Sequence, residues 1–289
     1  MTGPFAERLP DAAGKGSIRV WLKSSAYTRR LLLGAAGDPW ASGAQYLAYF
    51  SQAHGLLKPD VAVLEVGELY DAWHAAQPGA LVASLGNRRK PVTALRKLLE
   101  TEAPRQLLAE VVEAVLANLR GQTPLVLSVP SPRRWANHAN RLTGSTDIEV
   151  TADDAEDASM YLTDLIRSVS AFPISGVLLE EGRDADFNLE DLSRYTSIVN
   201  VVRHYRWSLA LRLPHDAVPA AEVLRDFDAV ISPTLEAAGA AVWGCDISAA
   251  FAAGGAIEPL QGRQFYFAEI DAGLRPESVL ETMGRLRGG

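Results

Sequence analysis

Short apolar runs, each closed by polar or turn-forming residues, recur along the whole chain, and amphipathic segments lie between them. The runs are residues 18 to 23 (IRVWLK), 60 to 70 (DVAVLEVGELY), 80 to 86 (ALVASLG), 124 to 129 (PLVLSV), 175 to 181 (SGVLLEE), 208 to 213 (SLALRL), 228 to 232 (DAVIS) and 264 to 271 (QFYFAEID). Their length and their content of Val, Ile, Leu and aromatic residues predict eight strands. Between them, residues 41 to 57 place Tyr46, Leu47, Phe50 and Leu57 at helix-compatible spacing. Residues 105 to 120 put Leu107, Leu108, Val111, Val112, Val115, Leu116 and Leu119 on one stripe, the pattern of an amphipathic helix. Asp153 or Asp154 suits the cap of a helix with Ala158, Tyr161, Leu162, Leu165, Ile166 and Val169 on its apolar face. Pro276 suits the first turn of a last helix through Val279, Leu280, Met283 and Leu286.

Continuously apolar strands that alternate with helices form a parallel sheet covered on its outer face, and eight repeats favour closure into a single-domain (β/α)8 TIM barrel. Residues 1 to 17 carry Gly, Pro and charge without an apolar period, so an N-terminal arm on the surface, or partly disordered, is expected before a barrel domain over 18 to 289. Residues 235 to 262 read equally as a helix or as a loop with a short helix.

Composition narrows the class. Hydrophobic residues make up 48% of the chain, enough for a large core without disulfides. The formal net charge of −7 argues against unspecific nucleic-acid binding. The single Cys245 forms neither an internal disulfide nor a Cys-rich zinc site, and no long apolar stretch follows a basic amino terminus, so a cytoplasmic protein without a membrane segment is expected.

In such barrels the reacting groups sit at the carboxyl ends of the strands and in the loops that follow. The predicted strand ends supply Lys23 with Ser24 and Ser25, then Glu65 and Glu68, Asn87 with Arg88 and Arg89, and Ser128 with Ser131, Arg133 and Arg134. Later strands add Glu180 and Glu181, Arg212 and His215, Ser232 and Thr234, and Glu269 and Asp271. Several carboxylates facing several cations suit a small substrate bearing a carboxylate or carbonyl, although paired Arg and Glu in a barrel interior also serve only to neutralise each other. Glu180 and Glu181 are adjacent on a strand and point to opposite faces, so at most one of the two enters the barrel, where a buried carboxyl has a raised pKa suited to acid or base work; the alternative is a cap or salt-bridge partner for the following loop. The run SVPSPRRWANHAN reads as a proline-stiffened loop that holds Arg133 or Arg134 toward the mouth, or as a surface Arg pair beside Trp135. Arg212 shares a strand face with Ser208 and Ala210, and these small neighbours mark an inward position. No HExxH, HxC, CxxC, GxGxxG, GxxxxGK[ST] or GxSxG pattern is present, so no metal and no cofactor is expected.

Two sets of segments resemble a known superfamily. VWLKSSAYTRRLLL followed by a helix and DVAVLEVGELYDA is similar to the opening of uroporphyrinogen decarboxylases, with Lys23, Ser24 and Ser25 where that family's substrate-gripping Arg and Gln fall. TPLVLSVPSPRRW, GVLLEEGRDAD and FYFAEIDAGLRPES resemble the catalytic domain of cobalamin-independent methionine synthase. That resemblance implies a barrel, puts Glu180 and Glu181 at the family's Asp-Glu pair, and puts Glu269 at the Asp of its last strand. LALRLPHDA and DAVISPTLEA place Arg212 and Ser232 where the family's zinc ligands fall.

The leading expectation is a metal-independent lyase or decarboxylase acting on a small carboxylate, with Glu180 or Glu181 as proton donor and Lys23, Arg133 and Arg212 as anion grips. Glu68, Ser128, His215 and Glu269 complete the expected substrate contacts. A methyl or alkyl transferase with a folate-like donor is the second expectation. The third is a non-catalytic barrel that serves as a subunit, docking through the Ala-rich residues 235 to 257 to a protein partner or a second copy.

Overall fold

A computed structural model describes residues 3–34, 36–86, 90–182, 186–215, 217–234 and 241–288. The strands are β1 (Val20–Lys23), β2 (Ala62–Glu65), β3 (Leu125–Pro130), β4 (Gly176–Glu180), β5 (Ser208–Arg212), β6 (Ala229–Ser232), β7 (Val242–Asp246) and β8 (Gln264–Glu269). All seven neighbouring pairs are parallel, in the order β1-β8-β7-β6-β5-β4-β3-β2, which makes a nearly closed (β/α)8 barrel of one domain. At the β1/β2 seam Asp60 takes over from the ladder. Its amide donates to the Val20 carbonyl at 3.0 Å, and its carboxylate accepts the Arg19 and Val20 amides at 2.8 Å.

The helices are α1 (Ser25–Leu33), α2 (Gly43–Leu57), α3 (Val66–Ala76), α4 (Ala80–Ser84), α5 (Thr93–Glu100), α6 (Glu102–Leu119), α7 (Pro132–Leu142), α8 (Ala152–Ser168), α9 (Thr196–His204), α10 (Ala221–Leu224), α11 (Ser248–Ala253) and α12 (Pro276–Gly288). Their apolar stripes and the outer face of the sheet form the main core. Helix α8 starts with a capping box in which Thr151 is the cap and Asp154 closes it from the third position. Among the described residues, no helix is long and apolar enough to cross a membrane.

Three expectations need correction. Residues 80 to 86 are not a strand: Leu81 and Leu85 are buried while Val82 is exposed, the four-residue period of helix α4. The eighth strand is β7, inside the stretch that read as helix or loop. Its run VWGCD is interrupted by Gly244, which sits where a side chain does not fit, with a Cβ there falling 2.6 Å from Ile231 and 2.7 Å from Phe265. Third, the segment from Pro132 is helix α7 rather than a stiff loop, with proline at its first position, where no amide donor is needed. Asn87, Arg88 and Arg89, and residues 235 to 240 of the Ala-rich stretch, lie outside the described residues.

The segment ahead of β1, read as an arm, makes a 3-10 turn at Phe5–Arg8 and sends Phe5 into the amino-terminal end of the barrel. The Phe5 ring meets Trp21 edge-on at 5.4 Å and lies where any side chain at position 176 would stand. Two backbone bonds hold the turn, Phe5 N–H to Ser175 O at 3.2 Å and Ala6 N–H to Ser208 Oγ at 2.9 Å. With Trp21, Leu178, Ile231, Phe265 and Phe267, Phe5 fills the barrel and leaves one end for polar groups.

Candidate active site

Strand alternation explains which side chains crown the barrel. Two residues beyond the interior positions Trp21, Val63, Val126, Leu178, Ala210, Gly244 and Phe267 come Lys23, Glu65, Ser128, Glu180, Arg212, Asp246 and Glu269, which therefore share the inner face at the carboxyl ends. The same rule turns Glu181 outward. There it accepts a hydrogen bond from Tyr195 Oη at 2.8 Å, and burial pushes its pKa up to about 7.

Lys23 is the hub of the crown. Its Nζ lies 3.5 Å from Glu65 and 3.7 Å from Glu269, and it bonds Glu180 directly. Burial alone would lower its pKa, but Glu65, Glu180 and Glu269 together raise it well above the usual lysine range. Arg212 is tied to Asp246 at 3.1 Å and Glu269 at 2.6 Å, and its guanidinium rests 4.8 Å from the centre of the Phe267 ring. Burial opposes its charge, and Asp246, Glu269 and Glu180 more than restore it. Against its own desolvation, Glu269 is held below the ordinary carboxyl value by Lys23 and Arg212.

Glu65 behaves differently. It is 7% exposed, its Oε1 is buried without a hydrogen-bond partner, and burial pushes its pKa up to about 8 despite Lys23. Glu180 and Glu68 push in the same direction, and the Ser128 hydroxyl pulls against them. Glu65 stands at the cap position of α3, yet its side chain makes no capping bond. Its proton is thus held more tightly than an ordinary carboxyl holds one, beside the Lys23 ammonium.

A cleft of about 360 Å³ opens over this pair, with Glu68 and Asp71 of α3 on one wall and Arg134, His138 and Arg141 of α7 on the other. Glu68 accepts from Ser25 Oγ at 2.5 Å and pairs with Arg29 at 3.3 Å, while His138 and Asp71 join across the rim at 2.6 Å. Among the described residues, Arg134 is the most loosely held cation of the mouth. It reaches Glu180 only at 3.3 Å to the carbonyl and 3.5 Å to the carboxylate, and over a third of its side chain is exposed. A second recess of about 270 Å³ adjoins the cleft and is lined by Arg212, Asp246, Glu181 and the exposed His215.

Arg133 lies outside the mouth. It is buried on the far side of α7, where Asp191 takes Nε at 2.6 Å and Nη2 at 3.0 Å and the Val150 carbonyl takes Nη1. Proline at the helix start sets this phase, so Arg134 faces the cleft and Arg133 the scaffold. Burial pushes the Cys245 thiol up to about 12, which removes it as a nucleophile. Arg212 and Ser232, which the sequence resemblance sets against zinc ligands, do not fit that ion: Arg212 is bound to carboxylates and buried Ser232 donates to the Thr234 carbonyl at 2.5 Å. Among the described residues no three His, Cys, Asp or Glu side chains are grouped to hold a metal. Two members of the crown stand outside the expected set. Asp246 was hidden with β7, and Glu65 was visible at a strand end without any sign of its isolation.

No family model matches the chain, and no curated protein matches it by sequence. Among solved structures it is similar to a methyltransferase from Methanosarcina mazei, 11% identical over 98% of this chain and 94% of that one, with a TM-score of 0.56. That likeness shows the barrel fold. Dihydrodipicolinate synthases from Bacillus clausii and Agrobacterium tumefaciens align at 14% and 15% identity, with TM-scores of 0.37 and 0.33. They cover 99% and 79% of this chain and 76% and 77% of their own.

Proposed function

We propose that this protein is a metal-independent lyase that decarboxylates a small carboxylate-bearing carbonyl compound in the cleft between α3 and α7. The observation that carries this reading is the buried Glu65 carboxyl, whose Oε1 has no hydrogen-bond partner and whose Oε2 lies 3.5 Å from the Lys23 ammonium at the base of the cleft. Decarboxylation of a 3-oxo acid needs a fixed cation where negative charge arrives and an acid that delivers one proton. Arg134 exchanges its long contacts with Glu180 for the substrate carboxylate and orients it. The bond between the carboxylate carbon and the α carbon breaks, carbon dioxide leaves, and the electron pair passes to the α carbon and the carbonyl oxygen beside Lys23. Glu65 then donates its proton to that carbon and is reprotonated from solvent. Glu180 and Glu269 are taken up by Lys23 and Arg212, and Glu181 is turned away to Tyr195, which leaves Glu65 as the donor in this reading.

Purified protein is to be mixed with short 3-oxo acids and carbon dioxide release followed. Release above the spontaneous rate is expected, and Arg134→Gln should raise KM roughly tenfold to a hundredfold through loss of a charge-assisted contact, with Tm unchanged. No release from any member of the series contradicts the reading. A lyase that works through a lysine imine needs a neutral amine, whereas the carboxylates around Lys23 favour its charged form. Borohydride added during turnover is therefore expected to leave Lys23 unmodified, and a reduced substrate adduct on Lys23 in the mass spectrum would overturn its role as a fixed cation.

A further inference from the structure

The cleft does not end at its rim. Beyond it lies a larger groove of about 780 Å³, and the two cavities have two lining residues in common, Arg141 and Asp186. These are each other's partners, with Arg141 Nη1 and Nη2 donating to the two Asp186 oxygens at 3.1 and 3.2 Å, and Asn137 Nδ2 donates to Asp186 at 2.9 Å. The groove differs in character from the cleft. Carbon makes up most of its surface: Ile148, Phe187 and Leu189, the last 42% exposed, lie among polar residues that include Asn137, Asn140 and Asp147.

We propose that the groove is a tail subsite, so that the substrate is a carboxylate with a hydrocarbon chain whose head lies in the cleft and whose tail crosses the Arg141–Asp186 threshold. This rests on the reading of the cleft as the site that binds the substrate's carboxylate. Arg134 and Arg141 are seven residues apart on α7, roughly 10 Å along the helix. A short acid held at Arg134 therefore gains nothing from the groove, whereas a long one buries apolar surface there at about threefold to fourfold in affinity for each methylene.

The test is calorimetric binding of saturated straight-chain carboxylates from butanoate to decanoate to the full-length protein. Affinity is expected to stay level for the short acids and then climb with length. Leu189→Asp, a change at a position 42% exposed, is expected to weaken decanoate by at least about tenfold and leave butanoate unchanged. Phe187→Ala should flatten the climb in the same way. A series with equal affinity at every length, or a climb that both variants leave intact, overturns the tail subsite. The two readings fail separately. Binding that climbs with length in a protein that releases no carbon dioxide contradicts the decarboxylation and supports the groove, and turnover of short 3-oxo acids with a level series does the reverse.

Discussion

Glu65→Gln is expected to lower kcat for carbon dioxide release by about 10²- to 10⁴-fold, the usual contribution of a positioned proton donor. Gln keeps the shape and neutrality of the protonated carboxyl, so substrate affinity should stay within about threefold of the wild type. The pH dependence follows from the same group. Glu65 donates only when protonated, and its pKa is pushed up to about 8, so kcat holds level below about pH 7 and falls tenfold per pH unit above 8. In the variant that falling limb disappears. Stability carries the matching sign. A carboxyl whose pKa is raised by folding stabilises the native state below its ordinary value, and that contribution is lost as pH rises through about 8. The wild type should thus lose Tm relative to Glu65→Gln progressively between about pH 4.5 and 8, and change little above that.

The second large effect lies at the opposite end of the barrel. Phe5→Ala is expected to cost about 3–5 kcal/mol of stability, read as a shift of the urea midpoint. The Phe5 ring is completely buried, stacks edge-on against Trp21, and fills the space above Gly176, while Trp21 in turn lies 5.8 Å from Phe265. Removing it leaves a cavity lined by aromatic rings and two backbones that do not collapse into it. Because Trp21 is two residues from Lys23 on one strand face, kcat of the variant at a temperature where it remains folded tests whether the floor also positions the crown.

The barrel was legible because its signal is repetitive. Seven of the eight strands coincide with apolar runs, and losing one run to a helix did not disturb the inference of eight. That error came from a five-residue helix, too short for its period to differ from a buried strand. The eighth strand was illegible because a close approach of Ile231 and Phe265 forced glycine into its centre. The charged crown was legible once the strand ends were known, since Lys23, Glu180, Arg212 and Glu269 all fall on them. Which charges cancel was not legible. Arg212 appears from its small neighbours as an inward cation, and the structure adds Asp246 and Glu269, which occupy it. Arg133 and Arg134 look equivalent in sequence, and only the phase of α7 sends one to Asp191 and the other to the cleft. Phe5 carried no periodic neighbours, so nothing in the first seventeen residues distinguished a barrel plug from a surface arm.

The central claim is that Glu65 is a neutral carboxylic acid at pH 7. Difference infrared titration of the carbonyl stretch of protonated carboxyls measures this directly. Two buried carboxyls are expected to be protonated near neutrality, Glu65 titrating near 8 and Glu181 near 7. Glu65→Gln should remove the signal with the higher midpoint and Glu181→Gln the lower one. A wild-type spectrum without a neutral carboxyl titrating near pH 8, or one that Glu65→Gln leaves unchanged, would mean that Glu65 is ionised and that the proton donor proposed for this barrel does not exist.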